Sequence, residues 1–316
     1  MTWEFGGIGL RRFGLLGFLL ALLVVFSFAS PYFLSLRNLT NILLSVSVIG
    51  IMAAVSTLVV VARGLDLSIG STVGLVGVAV AALLQQGWPW WLAIVAGLML
   101  GGLCGALNGA VIVGLRINSI ITTIGTLSII RGAAYIATGG QTLFVDSEPV
   151  LDLGSSRIAG VPYSVLLMLA LFALCHFVAN YMRVGRSLYA IGANPRASLI
   201  SGLNLGGYRF WIFVASGVAA GLSGILLIGQ SGTAVPAGGI GYELLVVTAV
   251  LLGGTSLNGG EGRISGTLIG VLIIGVLANG MTLVGVNSYY QTVANGVLLL
   301  AAVAIDQLRS HVQEES

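Results

Sequence analysis

The sequence contains no lysine. All thirteen of its basic side chains are arginine, they face ten acidic ones, and charged residues make up only 7% of the 316, where an average soluble domain carries about 25%. Without Lys there is no Walker A loop, whose Lys must meet nucleotide phosphates, and no Ser/Lys dyad. The glycine-rich run from Gly253 to Gly262 therefore reads as flexible backbone joining two apolar segments, and any ATP is bound elsewhere. Histidine is nearly as scarce, with only His176 and His311. Ser223, in Gly221-Leu222-Ser223-Gly224, has the local look of an intramembrane protease nucleophile, but neither His sits in a supporting motif. There is no HExxH and no paired intramembrane Asp motif, so no catalytic residue, cofactor or metal site is expected. Cys104 and Cys175 lie in apolar stretches with no CxxC or Cys/His spacing, and read as small core residues. Basic residues never interleave with aromatics on a polar face, which sets nucleic acid aside.

What the chain has in quantity is apolar side chains, 57% of residues, and 47 glycines scattered through them. That usage suits helices whose backbones approach closely in lipid, and a soluble fold is excluded. Ten apolar segments stand out: 13–29, 39–62, 69–84, 91–115, 119–138, 162–181, 209–230, 243–254, 264–284 and 287–308. The expectation is an all-α polytopic transmembrane bundle of about ten spans. Arg11 and Arg12 before the first run resemble a signal peptide, but so many similar runs follow that it reads as an uncleaved first helix. The eighth segment is about 18 Å long at 1.5 Å per residue, short of a bilayer core of about 30 Å, and is expected to be broken or re-entrant.

With ten spans and a cytoplasmic N-terminus, Arg11, Arg12, Arg63, Arg116, Arg183, Arg186, Arg196, Arg209, Arg263 and Arg309 fall at cytoplasmic ends. Only Arg37 and Arg157 fall outside, and Arg131 lies within the fifth span. This positive-inside bias places both termini in the cytoplasm. The span parity fits one permease domain, 1–316, of two inverted halves, 1–150 and 151–316, although no sequence repeat is visible. The linker 139–161 reads as a polar extracytoplasmic loop. On the other side, the loop 182–207 carries the punctuation of a short helix: Asn194 as N-cap, Pro195 at the first turn and Gly202 at the far end.

Several polar and small residues in the spans have a packing and a functional reading. Gly97, Gly101, Gly105 and Gly109 form a bare strip at four-residue spacing, for static packing or for a sliding hinge, and the pairs Gly70/Gly74, Gly217/Gly221 and Gly266/Gly270 pose the same choice. Asp66 and Ser68, followed by Ser71, either cap the third span or gate a path. A charge near the bilayer centre costs roughly 2.5–3.5 kcal/mol, so Asp66 needs a partner. Arg131 poses the same question. Ser119, Thr122, Thr123 and Thr126 make one helical polar stripe, and Asn287, Gln291 and Asn295 another. Such weak donors and acceptors suit a path for a polyhydroxyl solute, or interhelical hydrogen bonding.

Three stretches together resemble the membrane subunits of ribose, xylose and galactose type ABC importers. They are Gly64-Leu65-Asp66-Leu67-Ser68-Ile69-Gly70-Ser71; Gly185 to Pro195 followed by Ser201-Gly202; and Gly253-Gly254-Thr255-Ser256-Leu257 with Gly259-Gly260, Gly262 and Gly266-Thr267. The resemblance implies a simple-sugar permease of the bacterial inner membrane. Its expected partners are a cytoplasmic ABC ATPase, a periplasmic sugar-binding protein and a second permease subunit, making a homodimer or a heterodimer, all set in membrane lipid. It implies that the loop helix seats in the ATPase, with Arg186, Asn194, Pro195, Arg196, Leu199 and Gly202 as coupling residues. Here Arg196-Ala197-Ser198-Leu199-Ile200 departs from the acid and Ala-Ala-Arg that relatives commonly show. Asp66, Ser68, Ser71, Thr122, Thr126, Gln291 and Asn295 are the expected path residues. The alternatives are an ABC permease for another small solute (an autoinducer sugar, a nucleoside or a branched-chain amino acid) and a secondary transporter coupled through Asp66 or Glu243.

Overall fold

A computed structural model describes the backbone of residues 4–314 and the side chains of residues 14–308. Arg11, Arg12, Arg309 and His311 lie outside the described side chains. Thirteen helices and four two-residue strands are present among the described residues. The helices are α1 (Glu4–Ala29), α2 (Leu36–Val61), α3 (Ile69–Gln85), α4 (Trp90–Gly114), α5 (Ser119–Thr138), α6 (Glu148–Ser155), α7 (Tyr163–Tyr181), α8 (Arg183–Ala193), α9 (Pro195–Ile200), α10 (Leu205–Ser231), α11 (Tyr242–Leu252), α12 (Ile264–Leu283) and α13 (Ser288–Glu314). Each of the ten expected segments is a helix. Seven (α2, α4, α5, α7, α10, α12 and α13) are long and apolar enough to cross a membrane, while Gly14–Ala29 of α1, α3 and α11 are shorter apolar helices. This is an all-α membrane bundle.

The centre is built on α2 and α10. Most of α2 is buried, from Val46 to Val61 without a break, because its own residues there are small or apolar around the whole helix and α7, α10, α11 and α12 pack on it. Met168 and Phe172 of α7 close over Gly50, and Val46 covers Gly275 of α12. The strip on α4 meets α10 backbone to backbone. A Cβ at Gly101 would strike Gly217 O and crowd Gly221, and one at Gly105 would strike Phe213 O. Glycine is what permits this approach, since in lipid the helices gain by van der Waals contact at short range. The pairs Gly70/Gly74 and Gly266/Gly270 serve the same end, against the 238–243 segment and α11 respectively.

Two stretches expected as loops hold more structure. The linker 139–161 contains α6 and strands that pair antiparallel, Leu143–Phe144 (β1) with Thr233–Ala234 (β4), and Arg157–Ile158 (β2) with Val161–Pro162 (β3). Gly154 of α6 packs on the backbone of Gly229 in α10, so the linker seals one end of the bundle. Trp88, Trp90 and Trp91, exposed at the α3–α4 turn, mark the same end. Such rings favour the membrane–water boundary. The loop 182–207 contains α8 as well as the expected short helix. The missed α8 buries Leu188 and Ile191 on one side, a pattern of only three turns amid polar residues.

Candidate translocation and coupling sites

The chain breaks helix between α2 and α3, at residues 62–68, inside the bundle. Backbone groups there must find partners without water. Leu65 N–H donates to Ser119 Oγ (3.1 Å), and Thr123 Oγ1 donates to Leu65 O (3.2 Å). Asp66, 5% exposed, is held from three sides. Ser68 donates to its Oδ1 through both N–H (3.0 Å) and Oγ (2.7 Å), and Ser216 Oγ of α10 donates to Oδ2 (2.8 Å). Asn108 Nδ2 of α4 donates to Ser68 Oγ (2.8 Å) and reaches Asp66 Oδ1 at 3.4 Å. The chain of bonds continues as Thr126 Oγ1 of α5 donates to Asn108 Oδ1 (2.6 Å). The start of α3, α10 and α4 thus meet at one carboxyl group, and α5 is joined to it through Asn108.

The expected path residues separate into two groups. Asp66, Ser68, Ser71, Thr122 and Thr126 are buried within the chain. Ser71 Oγ donates to Ser68 O (2.8 Å), and Thr122 Oγ1 is buried without a partner among the described residues. Gln291 and Asn295 are half-buried on α13, and Asn287 is exposed. Gln291 Nε2 donates to Thr282 Oγ1 (3.1 Å) and to Val286 O (3.3 Å).

A second break precedes α11, which has only 11 residues. The non-helical run 235–241 packs against α3, and Arg131 of α5 donates through Nη1 to Pro236 O and Gly238 O, both at 2.7 Å. An arginine inside a span is thereby spent on carbonyls that a broken helix leaves open. Glu243 stands beside Gly70, its Oε1 accepting from Gly241 N–H (3.2 Å) and its Oε2 buried without a hydrogen bond.

At the arginine-rich end, α8 and α9 form a rigid bracket. Asn194 caps α9, accepting from Ala197 N–H (2.9 Å), and Pro195 follows at the first position. Gly202, at φ 83°, ends it: Gly202 N–H donates to Leu199 O and Leu203 N–H to Ser198 O, both at 3.0 Å. This is the paired bonding of a Schellman stop. Leu199 and Ile200 are 62% and 81% exposed, and Arg186 and Arg196 are exposed too. Behind them α8 is bolted to the bundle. Gly192 abuts Val61 O and the backbone of Gly260, Arg63 Nε donates to Gly192 O and its Nη2 to Ala193 O (3.2 Å), and Tyr189 Oη donates to Gly262 O (2.8 Å). The glycine-rich run 253–262, expected to be flexible, is pinned instead. Gly260 N–H donates to Val61 O (2.8 Å) and Leu257 N–H to Asp306 Oδ2 (3.0 Å), because its glycines admit α8 and α2 to direct backbone contact.

Residues 38–303 match the model of one family, described as the branched-chain amino acid transport system / permease component. The chain belongs to that family. It is 39% identical over 292 residues to the ribose import permease protein of Escherichia coli strain K12, covering 91% of each chain. It is 34% identical over 296 residues to the D-allose transport system permease protein of the same strain, covering 93% of this chain and 91% of the relative. It is also 34% identical over 300 residues to the L-arabinose ABC transporter permease protein of Azospirillum brasilense, covering 95% and 88%. The match takes in both helix breaks and the α8–α9 bracket. Within this permease, sequence reasoning missed Asn108 and Ser216 as partners of Asp66. Asn108 did leave a signal, an amide between Gly105 and Gly109 on a strip of small residues, whereas a lone Ser in α10 left none.

Proposed function

We propose that the protein is the membrane-spanning half of an ABC importer that moves a monosaccharide across the bacterial inner membrane. The observation that carries this reading is the nearly end-to-end similarity to permeases named for ribose, allose and arabinose. A separate cytoplasmic ATPase supplies the energy, and a periplasmic binding protein delivers the sugar. The exposed bracket of α9 supports the first partner. An ordered helix can transmit a push that a loose loop would dissipate as conformational entropy. A second permease subunit, identical or a sister chain, covers part of the apolar face that α5 and α13 leave exposed, including Ile121, Ile129, Tyr289 and Val293. In this arrangement Gln291 and Asn295 face the path, while Asp66, Ser68, Ser71, Thr122 and Thr126 brace it from behind. Arg186, Asn194, Pro195, Arg196, Leu199 and Gly202 present or shape the ATPase contact, and both termini are cytoplasmic.

The test is uptake into proteoliposomes holding this chain with its ATPase, given ATP and the binding protein. Labelled ribose, allose and arabinose are compared with leucine. ATP-dependent uptake of a sugar is expected. Uptake of leucine alone, or sugar uptake that ignores ATP, would overturn the reading.

A further inference from the structure

Where α2, α4, α5 and α10 converge at the arginine-rich end, they leave a cavity of about 740 Å³. Three arginines line it, Arg63, Arg116 and Arg209, and no carboxylate does. Arg63 is engaged with the carbonyls that end α8. Arg116 and Arg209 make no hydrogen bond or ion pair among the described residues. Arg63 and Arg209 stand close enough to repel one another. The deeper wall is apolar, with Val59, Ile112 and Phe213.

Like charges gathered over apolar walls are costly unless an anion answers them. Arg63 and Arg116 both hold left-handed backbone, φ 61° and 57°, each just past the end of its helix, and the stop that closes α2 sets Arg63 at the cavity wall, with Arg63 N–H donating to Val60 O and Gly64 N–H to Val59 O. Guanidinium groups match phosphate oxygens in geometry as well as in charge. Basic pockets between membrane helices at the boundary with water take anionic headgroups.

We propose that this cavity is a phosphate-binding site in which Arg116 and Arg209 hold the phosphodiester of an anionic phospholipid or the phosphate of a soluble ligand. The occupant would relieve the repulsion between Arg209 and Arg63, and so steady the bolt that Arg63 makes to α8. Occupancy of the cavity and the firmness of the coupling bracket are then linked.

The test uses the full chain in nanodiscs of phosphatidylcholine, with and without phosphatidylglycerol, and in phosphatidylcholine alone with inorganic phosphate against chloride of equal ionic strength. Thermal unfolding and native mass spectrometry of retained lipid are read for the wild type, the Arg116→Gln/Arg209→Gln variant and the matching double Lys variant. A rise in unfolding temperature with phosphatidylglycerol, together with retained lipid, assigns a headgroup. A rise with inorganic phosphate alone assigns a soluble ligand. In either case the Gln variant should bind about tenfold more weakly or worse, and the Lys variant should keep part of the effect. A wild type that responds to neither probe would overturn the site, and so would a Gln variant that responds as the wild type does. Should the Gln variant fail to fold, the decision rests on the wild type, where equal retention of both lipids and no phosphate response count against the site.

Discussion

Ser216 donates its hydroxyl to Asp66 across 2.8 Å, joining residues 150 positions apart in a buried bond between α10 and the break before α3. The carboxyl group it serves is 5% exposed, so the bond is made away from water. Ser216→Ala should therefore cost about 1–3 kcal/mol of stability. Asp66→Ala should cost more, because it leaves the donors of Ser68 and Ser216 unanswered at once. Thermal unfolding in detergent measures both, and two variants as stable as wild type would show that the hub carries no structural load.

The α4–α10 seam makes a sharper structural prediction. Gly101→Val places a branched side chain against the Gly217 backbone, which cannot yield as a side-chain tip could. The helices must separate, and the expected result is loss of folded protein, a penalty of about 3 kcal/mol or more. Gly17→Ala, on α1 with nothing within 4 Å, is the matched control and should change stability by less than about 1 kcal/mol. Size-exclusion profiles of the two variants separate them.

Leu199→Asp tests the coupling bracket. Leu199 is 62% exposed, so the change should leave the membrane bundle folded while releasing the ATPase from purified complexes or freeing ATP hydrolysis from uptake. Normal retention with full uptake would remove α9 from the coupling role. The site can also be placed on its side of the membrane. Once Cys104 and Cys175 are replaced, Cys introduced at exposed Ala197 should react with membrane-impermeant thiol reagents only when the cytoplasmic face is open. Ser198 is a poorer reporter because it is buried.

Tyr189 offers a pH signature in α8, outside the spans. Burial pushes its phenol above the ordinary value of 10.0, with nearby Arg263 opposing in part. A raised folded value means that the folded protein holds the proton more tightly, so this contribution is complete below pH 10 and fades as pH climbs through the folded value. Tyr189→Phe loses the bond to Gly262 O, at about 1 kcal/mol, and should flatten the alkaline decline in stability. An unchanged alkaline limb in the variant would mean that other groups cause it.

The bundle was legible in the sequence because lipid imposes a local rule. Each span must be long, apolar and internally hydrogen-bonded, so the ten segments could be marked without knowing their neighbours. The cap at Asn194, the Pro195 start and the Gly202 stop are likewise local chemistry, and α9 lies between them. The absence of Lys removed a Walker A loop and a Ser/Lys dyad from consideration on composition alone. Pairwise meetings between distant segments were decided only by the tertiary structure. Thr126 looked like one of a polar stripe open to a path, yet its hydroxyl is turned to Asn108. Arg131 could have met an acid or water, but it meets the carbonyls of Pro236 and Gly238, which only the broken helix before α11 frees. The run 253–262 looked flexible because glycine relaxes backbone limits, whereas in place the missing side chains let Val61, Gly192 and Gly260 close together. Glycine in a sequence states that close approach is possible, and only the packed chain determines what approaches.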